Sequence, residues 1–388
     1  MNIPIRVLQV FSSMDRGGAE TMIMTYYRNI DRNKVQFDFV VHTNKKCAFD
    51  DEIQSLGGRI YQMPRYNLKN HFKYVQLWKD LLNAHPEYKI IHGHYFTISA
   101  IYFSVAKNFN KIRIGHSHIY YKRRDFKALK VRLLTFPVRY YVDYYFACTR
   151  LAGEWLYGKT FLKNKELIVH KNAIDARLFS YNEESRKKIR KELNLGNKIV
   201  IGNVGRFNYQ KNHEFLIDIF KSVHEKNENT ILLLVGKGEL RNSIEEKVAK
   251  LGLTEKVIFT GARSDITDLM SAMDLLLLPS RYEGFAIVLV EAQATGLKCI
   301  TSADVVPNDA NITNLLEFIP LSQPAEKWAD IILESVKKYD RRSRYEDLVN
   351  AGYDIISSSQ WLETFYLKLE RQEIVDGLQM ELLKSEIY

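Results

Sequence analysis

The sequence predicts two α/β domains, each built on a doubly wound parallel sheet. Short apolar runs of strand length alternate along the chain with longer segments of helical periodicity, as in parallel strands joined by crossover helices. A charged stretch at residues 182–197 interrupts this alternation, which resumes with a buried strand at 198–204. The 388 residues are enough for two separate cores. We expect domains at 1–178 and 179–356, followed by a terminal segment at 357–388.

The first domain is expected to begin with the buried strand Ile5–Phe11, which is followed by a loop and a helix that begins at Ala19. The Gly17-Gly18 pair in this loop would let the backbone approach a phosphate or a sugar closely, although such a pair is more often only a turn. Further strands are expected at 37–41, 60–63, 90–94, 113–116 and 145–149.

Two His-x-His pairs, His92/His94 and His116/His118, lie at strand ends, where doubly wound sheets bind their ligands. Residues i and i+2 of a strand share a face, so each pair resembles part of a metal site. The sequence offers no evident third or fourth ligand, and we therefore expect no metal. The alternative for His92 is a hydrogen-bonded core histidine.

In the second domain, the apolar run 274–278 predicts a buried strand, and the apolar segment after Gly284 predicts a helix that Gly296 ends. Glu283 and Glu291 then flank the helix start, roughly 12 Å apart along the axis. The backbone N–H groups of Gly284, Phe285 and Ala286 lie between the two carboxylates and form an anion site. This spacing suits a nucleotide sugar. The alternative is an ordinary strand–loop–helix with two solvated glutamates, but an apolar run around Glu291 favours a ligand.

A glycine and two cations follow the strand at 198–204, namely Gly205, Arg206 and Lys211. The arginine can fork two phosphate oxygens and the lysine can add a point charge, although isolated cations are more often solvated. The next expected strand, 232–235, ends at Gly236, where the backbone can approach the edge of a nucleobase.

Composition places the chain among globular proteins, with 46% hydrophobic and 26% charged residues. Cys47, Cys148 and Cys299 are scattered, which favours a reducing compartment and neither disulfides nor a zinc site. No apolar run approaches the roughly 20 residues of a membrane span, and the amino terminus lacks the pattern of a signal peptide. We expect a cytoplasmic protein. A net charge of +10 leaves nucleic acid open as a partner, but no motif that reads nucleic acid is evident.

The segment from residue 107 to 139 holds a run of cations against a single acid, Asp125. Apolar residues recur among the cations at helical spacing, which predicts a basic amphipathic helix. Such a helix suits a membrane surface or a phosphate-rich partner. An equally good alternative is a solvated helix face beside a packed one. The cations expected to contact membrane or acceptor are Arg123, Arg124, Lys127 and Lys130.

The motif Pro279-Ser280-x-x-Glu283-Gly284, with the second acid at Glu291, resembles the E-x7-E signature of retaining glycosyltransferases of family GT4, in particular the bacterial capsular and exopolysaccharide transferases. The resemblance covers nearly the whole chain. It implies the GT-B fold, in which two Rossmann-like domains face a central cleft, the first binding the acceptor and the second the nucleotide sugar. A terminal helix crosses back to the first domain.

The resemblance also implies a reaction. A hexosyl or N-acetylhexosaminyl group passes with retention from a nucleoside-diphosphate sugar, expected to be a UDP-sugar, to a growing or polyprenyl-diphosphate-linked glycan. No cofactor and no metal are expected, and the enzyme would work in the cytoplasm or peripherally on the inner face of the plasma membrane. The alternative is a catalytically inactive GT-B partner subunit that binds sugar or peptide. Loss of Arg206, Lys211 or Glu283 would favour that alternative, and all three are present.

The family pattern assigns roles to individual residues. Arg206 and Lys211 clamp the diphosphate, and Glu283 and Glu291 hold the donor sugar and the ribose. His116 is a cleft histidine that contacts the donor sugar or the acceptor. The remaining donor-binding residues are Gly17 and Gly18 on the diphosphate, Gly205 beside the clamp, Gly236 and the backbone near Arg263 at the base, and Gly284, Phe285 and Ala286 at the anion site.

Overall fold

The computed structural model describes residues 3–118, 126–283, 286–303, 305–306, 308–337 and 339–373, without the side chains of residues 126–128 and 309. The chain divides into two compact units. Unit 1 contains the chain up to Ala173 together with the segment that begins at Ile355, and unit 2 contains Ile174–Asp354. The sequence predicts the first boundary at 178, where the structure has 173, and the second at 356, where the structure has 354.

Unit 1 is built on a parallel sheet, seven-stranded in the described residues, with the order β3-β2-β1-β4-β5-β6-β7. Its strand order reverses between β1 and β4, which are paired neighbours. The strands are β1 (Ile5–Phe11), β2 (Val35–Val41), β3 (Ile60–Gln62), β4 (Ile90–Gly93), β5 (Ile112–Ser117), β6 (Tyr144–Ala147) and β7 (Leu167–Val169).

The helices between these strands are α1 (Gly18–Asn29), α2 (Asp50–Ser55), α3 (His71–Ala84), α4 (Ser99–Asn108), α5 (Phe126–Thr135) and α6 (Arg150–Gly153). They cover both faces of the sheet, and every residue of β2 is buried. Its two polar side chains, Gln36 and Asp38, are buried in hydrogen bonds with Tyr27 and Arg6.

Unit 2 repeats this plan with a parallel sheet that has six strands in the described residues, in the order β10-β9-β8-β11-β12-β13. The strands are β8 (Ile199–Val204), β9 (Thr230–Val235), β10 (Val257–Gly261), β11 (Leu275–Leu278), β12 (Lys298–Ser302) and β13 (Leu316–Ile319). The helices are α7 (Glu183–Glu192), α8 (His213–Lys226), α9 (Arg241–Lys250), α10 (Ile266–Ala272), α11 (Ile287–Ala294), α12 (Ala325–Ser335) and α13 (Tyr345–Asn350).

The last helix, α14 (Ile355–Glu370), belongs to unit 1, as expected of the terminal segment. Its apolar face packs into the same core cluster as β1 and β2 and includes Trp361, Phe365 and Tyr366. Ion pairs from Lys34 to Glu363 (2.9 Å) and from Lys89 to Glu370 (2.6 Å) join the helix to the rest of unit 1 about two turns apart. None of the helices in the described segments has the length and apolar character needed to cross a bilayer.

Helix α11 differs from expectation at its start. It begins at Ile287, because Ala286 has a non-helical backbone (φ −78°, ψ 78°). Glu291 is therefore the fifth helical residue, and the expectation that it lies two turns into a helix opening after Gly284 is wrong. The axial estimate of its distance from Glu283 does not apply either. The helix ends as expected, since Gly296 takes the left-handed conformation (φ 66°) and a side chain there would overlap the carbonyl of Arg342.

Candidate active site

The two loops expected to bind the donor are neighbours in unit 2. Strand order reverses between β8 and β11, which pair in parallel. The loop after β8 carries Arg206 and Lys211, and the loop after β11 carries Glu283. A reversal of strand order opens a crevice at the carboxyl ends of the strands, where ligands of doubly wound sheets bind. Topology therefore places the expected cations and the expected carboxylate at one site.

Glu283 is the centre of this site, and its side chain is only 5% exposed. Lys211 Nζ lies 2.8 Å from Glu283 Oε1, and Ser280 Oγ donates to the same oxygen at 2.6 Å. Gln210 Nε2 donates to Glu283 Oε2 at 3.1 Å. Both carboxylate oxygens are thus satisfied by groups from the two loops. Sequence reasoning gave neither residue a role, although Gln210 precedes Lys211 and Ser280 is part of the motif that carries the family resemblance.

Arg206 lies at the open side of the site. Its guanidinium pairs with Glu239 at 3.2 Å, and both side chains are exposed, at 71% and 57%. Glu239 belongs to the loop after β9, and the sequence analysis gave it no role. An exposed pair of this kind is weak and exchanges readily. Arg206 is therefore free to move to a phosphate, whereas Lys211 is held in place.

Two glycines bring the loops after β8 and β9 together. Gly236 has a φ of 146°, and a side chain there would overlap the carbonyl oxygen of Gly205. The Phe207 amide donates to the Lys237 carbonyl at 3.0 Å, and the Leu240 amide donates to the Phe207 carbonyl, also at 3.0 Å. Gly205 and Gly236 thus have a packing role in the structure, and contact between Gly236 and a base stays a prediction.

Glu291 has the opposite environment to Glu283. It is half-buried on α11, and no hydrogen-bond or ion-pair partner for its carboxylate occurs within the described ranges. Burial raises the pKa of Glu291 to about 7. A carboxyl group in this state is close to half-protonated at neutral pH, so a ligand that donates hydrogen bonds to it would favour the ionised form.

For the other residues of unit 2 that are expected to bind the donor, the structure gives less information. The guanidinium of Arg263 pairs with Asp265 at 2.6 Å and with Glu192 at 2.9 Å. Contact between the Arg263 backbone and a base stays a prediction. Ala286 is buried just before α11. Gly284 and Phe285 lie outside the described residues, and so the proposed anion site is seen only in part.

In unit 1, Gly17 and Gly18 occupy the amino end of α1, directly after β1 and its loop. The Glu20 carboxylate lies over Gly17 so closely that a side chain at position 17 would overlap it. Burial raises the pKa of Glu20. The glycines therefore stand at a helix N-terminus, as the sequence predicted, and their contact with a diphosphate stays a prediction.

His116 lies on β5 and is fully buried within a cluster of histidines. Strands β4 and β5 are neighbours, and the register pairs Gly93 with Gly115, so the two His-x-His pairs meet side by side. Ring nitrogens of His92, His94 and His116 lie within 4.8 Å of one another. The premise that no third ligand accompanies either pair is therefore wrong, because separate strands supply it.

Helix α5 carries the basic segment. Arg123 and Arg124 lie outside the described residues, as does the side chain of Lys127, and Lys130 is exposed. Val131 is half-buried and Val138 is buried, but five large apolar side chains of this region are exposed, contrary to the alternative in which they pack against the protein. They are Leu129 (54%), Leu133 (67%), Leu134 (48%), Phe136 (47%) and Tyr140 (60%).

Comparison with known proteins decides the family. The sequence profile described as Glycosyl transferases group 1 matches residues 185–353. The glycosyltransferase EpsF of Bacillus subtilis (strain 168) is 33% identical over 357 residues, which is 90% of this chain and 93% of EpsF. The chain belongs to this glycosyltransferase family. The capsular polysaccharide biosynthesis glycosyltransferase CapH of Staphylococcus aureus is also similar, with 24% identity over 94% of this chain and 99% of CapH.

Solved structures agree on the fold. Anabaena HepE, crystallised with UDP and glucose, superposes with a TM-score of 0.73 at 18% identity and covers 94% of this chain and 100% of its own. WaaG, a glycosyltransferase of lipopolysaccharide biosynthesis, superposes with a TM-score of 0.62 at 17% identity and covers 93% and 99%. The two Rossmann-like units are those of GT-B glycosyltransferases, and the recognition of this family from the E-x7-E motif is confirmed.

Proposed function

We propose that this glycosyltransferase transfers a hexosyl or N-acetylhexosaminyl group from a UDP-sugar to a growing or polyprenyl-diphosphate-linked glycan, with retention and without a metal ion, in the synthesis of a capsular or exported polysaccharide. The observation that carries the proposal is the Lys211–Glu283 pair at the reversal of strand order in unit 2. Relatives support the substrate class: HepE binds UDP, and a 33% identical segment of 181 residues is shared with an Escherichia coli enzyme named for UDP-Gal and a diphosphoundecaprenol acceptor.

The leaving UDP acquires negative charge in the transition state, and cations already in position stabilise that charge. The Lys211 ammonium has three donors, so it can keep its bond to Glu283 and offer the others to phosphate oxygens. Arg206 can exchange Glu239 for the diphosphate at small cost, because the pair is exposed. These two cations take the part that a divalent metal plays in other transferases.

In this proposal, the two carboxylates bind different parts of the donor. Glu291, which has a raised pKa and no described partner, accepts hydrogen bonds from the ribose hydroxyls. Glu283 accepts hydrogen bonds from the donor sugar. Further contacts are proposed for the backbone at Gly17, Gly18, Gly236, Arg263 and the segment Gly284, Phe285 and Ala286.

The environment of Glu283 bears on how configuration is retained. A carboxylate that is neutralised by an ammonium and accepts two further hydrogen bonds is a weak nucleophile. This favours transfer on the front face of the sugar over a covalent sugar–Glu283 intermediate. His116 is proposed to contact the sugar or the acceptor hydroxyl, which requires its side chain, fully buried in the structure, to become accessible.

The decisive test is a screen of nucleotide sugars for hydrolysis and transfer by purified protein in excess EDTA. We expect one or a few UDP-sugars to release UDP under these conditions, and Glu283→Gln to abolish that release. A strict requirement for Mn²⁺ would contradict the metal-free mechanism. Absence of turnover with every donor, together with unimpaired sugar or peptide binding, would instead favour an inactive partner subunit.

We also propose that unit 1 binds anionic membrane through α5 and the turn that follows it. Exposed apolar side chains such as Leu133 and Phe136 alternate there with Lys130 and Arg132. Apolar groups of this kind insert at the boundary between headgroups and acyl chains, and each cation near an anionic surface contributes about 1 kcal/mol. A surface of this composition also suits the diphosphate of a lipid-linked acceptor.

Co-sedimentation with vesicles of increasing anionic lipid content tests the membrane proposal. The variant Lys130→Glu/Arg132→Glu/Leu133→Ser should lose binding, and wild-type binding should weaken steeply above roughly 0.3 M salt. Lys188→Glu/Lys191→Glu on α7 makes the same change of charge on exposed positions of unit 2 and should sediment like the wild type. Equal sedimentation of all three proteins would overturn the assignment to α5.

A further inference from the structure

The histidine cluster of unit 1 is built from the carboxyl ends of neighbouring strands. His92 lies on β4, His94 follows it, His116 lies on β5 and His118 follows it. Their rings are close, with centroids 4.4 Å apart for His92 and His94, 5.3 Å for His92 and His116, and 4.1 Å for His116 and His118. Helix α14 contributes to this side of the sheet through Tyr366, whose hydroxyl lies 2.6 Å from His92 Nδ1.

Several ring nitrogens of the cluster are buried without a partner among the residues that the structure describes. They are both nitrogens of His116, Nε2 of His92 and Nδ1 of His118. Buried polar atoms nearly always have a hydrogen-bond partner, so a group of such atoms in one place points to a ligand.

We propose that His92, His94 and His116 form a binding site for a divalent transition metal ion that prefers imidazole, such as Zn²⁺, Co²⁺ or Ni²⁺. Their nitrogens already lie within 4.8 Å of one another. Bonds of about 2.1 Å at tetrahedral angles need ligand nitrogens roughly 3.4 Å apart. The His92 ring is stacked on the rings of His94 and His116, so the rings must rotate out of this stack before their in-plane lone pairs converge on one ion. Imidazole ligands suit these ions and not Mg²⁺ or Ca²⁺.

The groups around the cluster orient two of the three ligands. In the tautomer that binds an ion, His92 Nδ1–H donates to the Tyr366 hydroxyl, and the lone pair of Nε2 is left for the ion. Gln9 Oε1 accepts from His94 Nε2 at 2.9 Å, which makes His94 Nδ1 the ligand atom. That nitrogen now accepts from His118 Nε2 at 2.8 Å, so His118 must turn away or become a fourth ligand. Outer partners of this kind are typical of metal-binding histidines.

The ion takes no part in the mechanism proposed for transfer, although its site shares His116 with that mechanism. The clamp of Arg206 and Lys211 requires no ion, whereas an ion on the histidines would occupy the lone pairs of His116. Occupancy should therefore inhibit transfer. Metal binding is measured without a donor, and sugar transfer is measured in EDTA. Failure of one proposal therefore does not contradict the other.

The test uses the full chain, free of any histidine tag and stripped with chelator. Titration with Co²⁺ should produce a visible ligand-field band that saturates near one ion per chain, and Zn²⁺ should displace it. His92→Gln should weaken binding at least tenfold. Tyr366→Phe keeps the ring in the core and should weaken binding by about tenfold, as loss of an outer partner does.

His213→Gln is the matched control, because His213 is also buried with both nitrogens unpartnered in the described residues, but lies in unit 2 against Phe207. It should bind like the wild type. Absence of the cobalt band in the wild type, or equal affinities of His92→Gln and His213→Gln, would overturn the proposal. If His92→Gln fails to fold, anomalous scattering from a Zn²⁺-soaked wild-type crystal decides, and zinc away from the cluster overturns it.

Discussion

The two units place opposite chemistry at equivalent edges of nearly equivalent sheets. At the carboxyl edge of unit 2, Lys211 and Glu283 are charged, close together and hydrogen-bonded to both loops. At the carboxyl edge of unit 1, the imidazoles of His92 and His116 are neutral, stacked and left with unpartnered nitrogens in the described part of the chain. The topology of each sheet thus determines the edge at which a ligand binds. The side chains at that edge determine whether the ligand is a charged group or an ion that accepts lone pairs.

The largest expected effect comes from breaking the charged pair. Lys211→Met should lower turnover by about 10²–10³-fold, as loss of one preorganised group does, and should also destabilise unit 2 by about 3 kcal/mol, because Glu283 is left buried without its cation. Kinetics and thermal melting measure the two effects.

A double variant separates stability from catalysis at the same pair. Lys211→Met/Glu283→Gln should regain the melting temperature but not the turnover. Lys221→Met breaks an exposed pair with Glu225 (44% and 60% exposed) and should change neither quantity. A double variant as unstable as the single one would show that the pair does not organise the loops.

Arg206 tests whether the exposed cation shares in catalysis. Arg206→Ala should lower kcat by about tenfold to a hundredfold and change UDP affinity less, because the charge that it neutralises grows in the transition state. Arg206→Lys should recover part of kcat. An unchanged kcat with a raised KM for the donor would show that Arg206 only binds.

Variants of Glu291 and Glu283 test whether the two carboxylates of the site bind different parts of the donor. Ribose hydroxyls need the ionised form, so UDP affinity, measured by calorimetry, should rise as pH increases through about 7. Glu291→Gln should bind UDP more weakly at pH 8 and lose this pH dependence. Glu283→Gln should spare UDP, and equal losses in both variants would refute the division of roles.

The same pKa has a consequence for stability. A carboxyl whose pKa is higher in the folded than in the unfolded protein binds its proton more tightly when folded, so stability declines as pH rises from about 4.5 to 7 and is level above 7. Melting temperatures across this range should fall less in Glu291→Gln than in the wild type. Parallel curves would contradict the raised pKa.

The smallest effect is expected at Glu239, which holds Arg206 at the surface. Glu239→Gln frees the guanidinium at a cost of no more than about 1 kcal/mol, so the donor KM should fall by up to about fivefold with kcat unchanged. A raised KM would mean that Glu239 itself contacts the donor.

Much of the fold follows from periodicity. The sequence predicts β1 with the bounds Ile5–Phe11 that the structure has, because five of its seven residues are apolar and the loop after it is mostly polar. It misses β13 (Leu316–Ile319), in which an exposed Glu317 breaks the apolar run on an edge strand. It also predicts too early a start for α11, since an apolar segment does not distinguish the non-helical residue Ala286 from a first helical turn.

The sequence predicts individual residues of the site but not the contacts between them. The Lys211–Glu283 contact joins positions 72 residues apart, and it depends on β8 and β11 being neighbours. The histidine cluster likewise depends on β4 and β5 being paired. Periodicity shows which residues end strands but carries no information on strand order, so motifs are visible in the sequence while the contacts between them are not.

The position of α14 in unit 1 has a consequence for how the protein is made. Unit 2 comes from one continuous stretch, whereas unit 1 is completed by a helix that the ribosome reaches only after residue 354. Until then, β1, β2 and β4 lack the cover that Phe365 and Tyr366 provide, and His92 lacks its tyrosine. Unit 1, although its strands are synthesised first, is therefore completed last, and this sheet face stays exposed until α14 has been made.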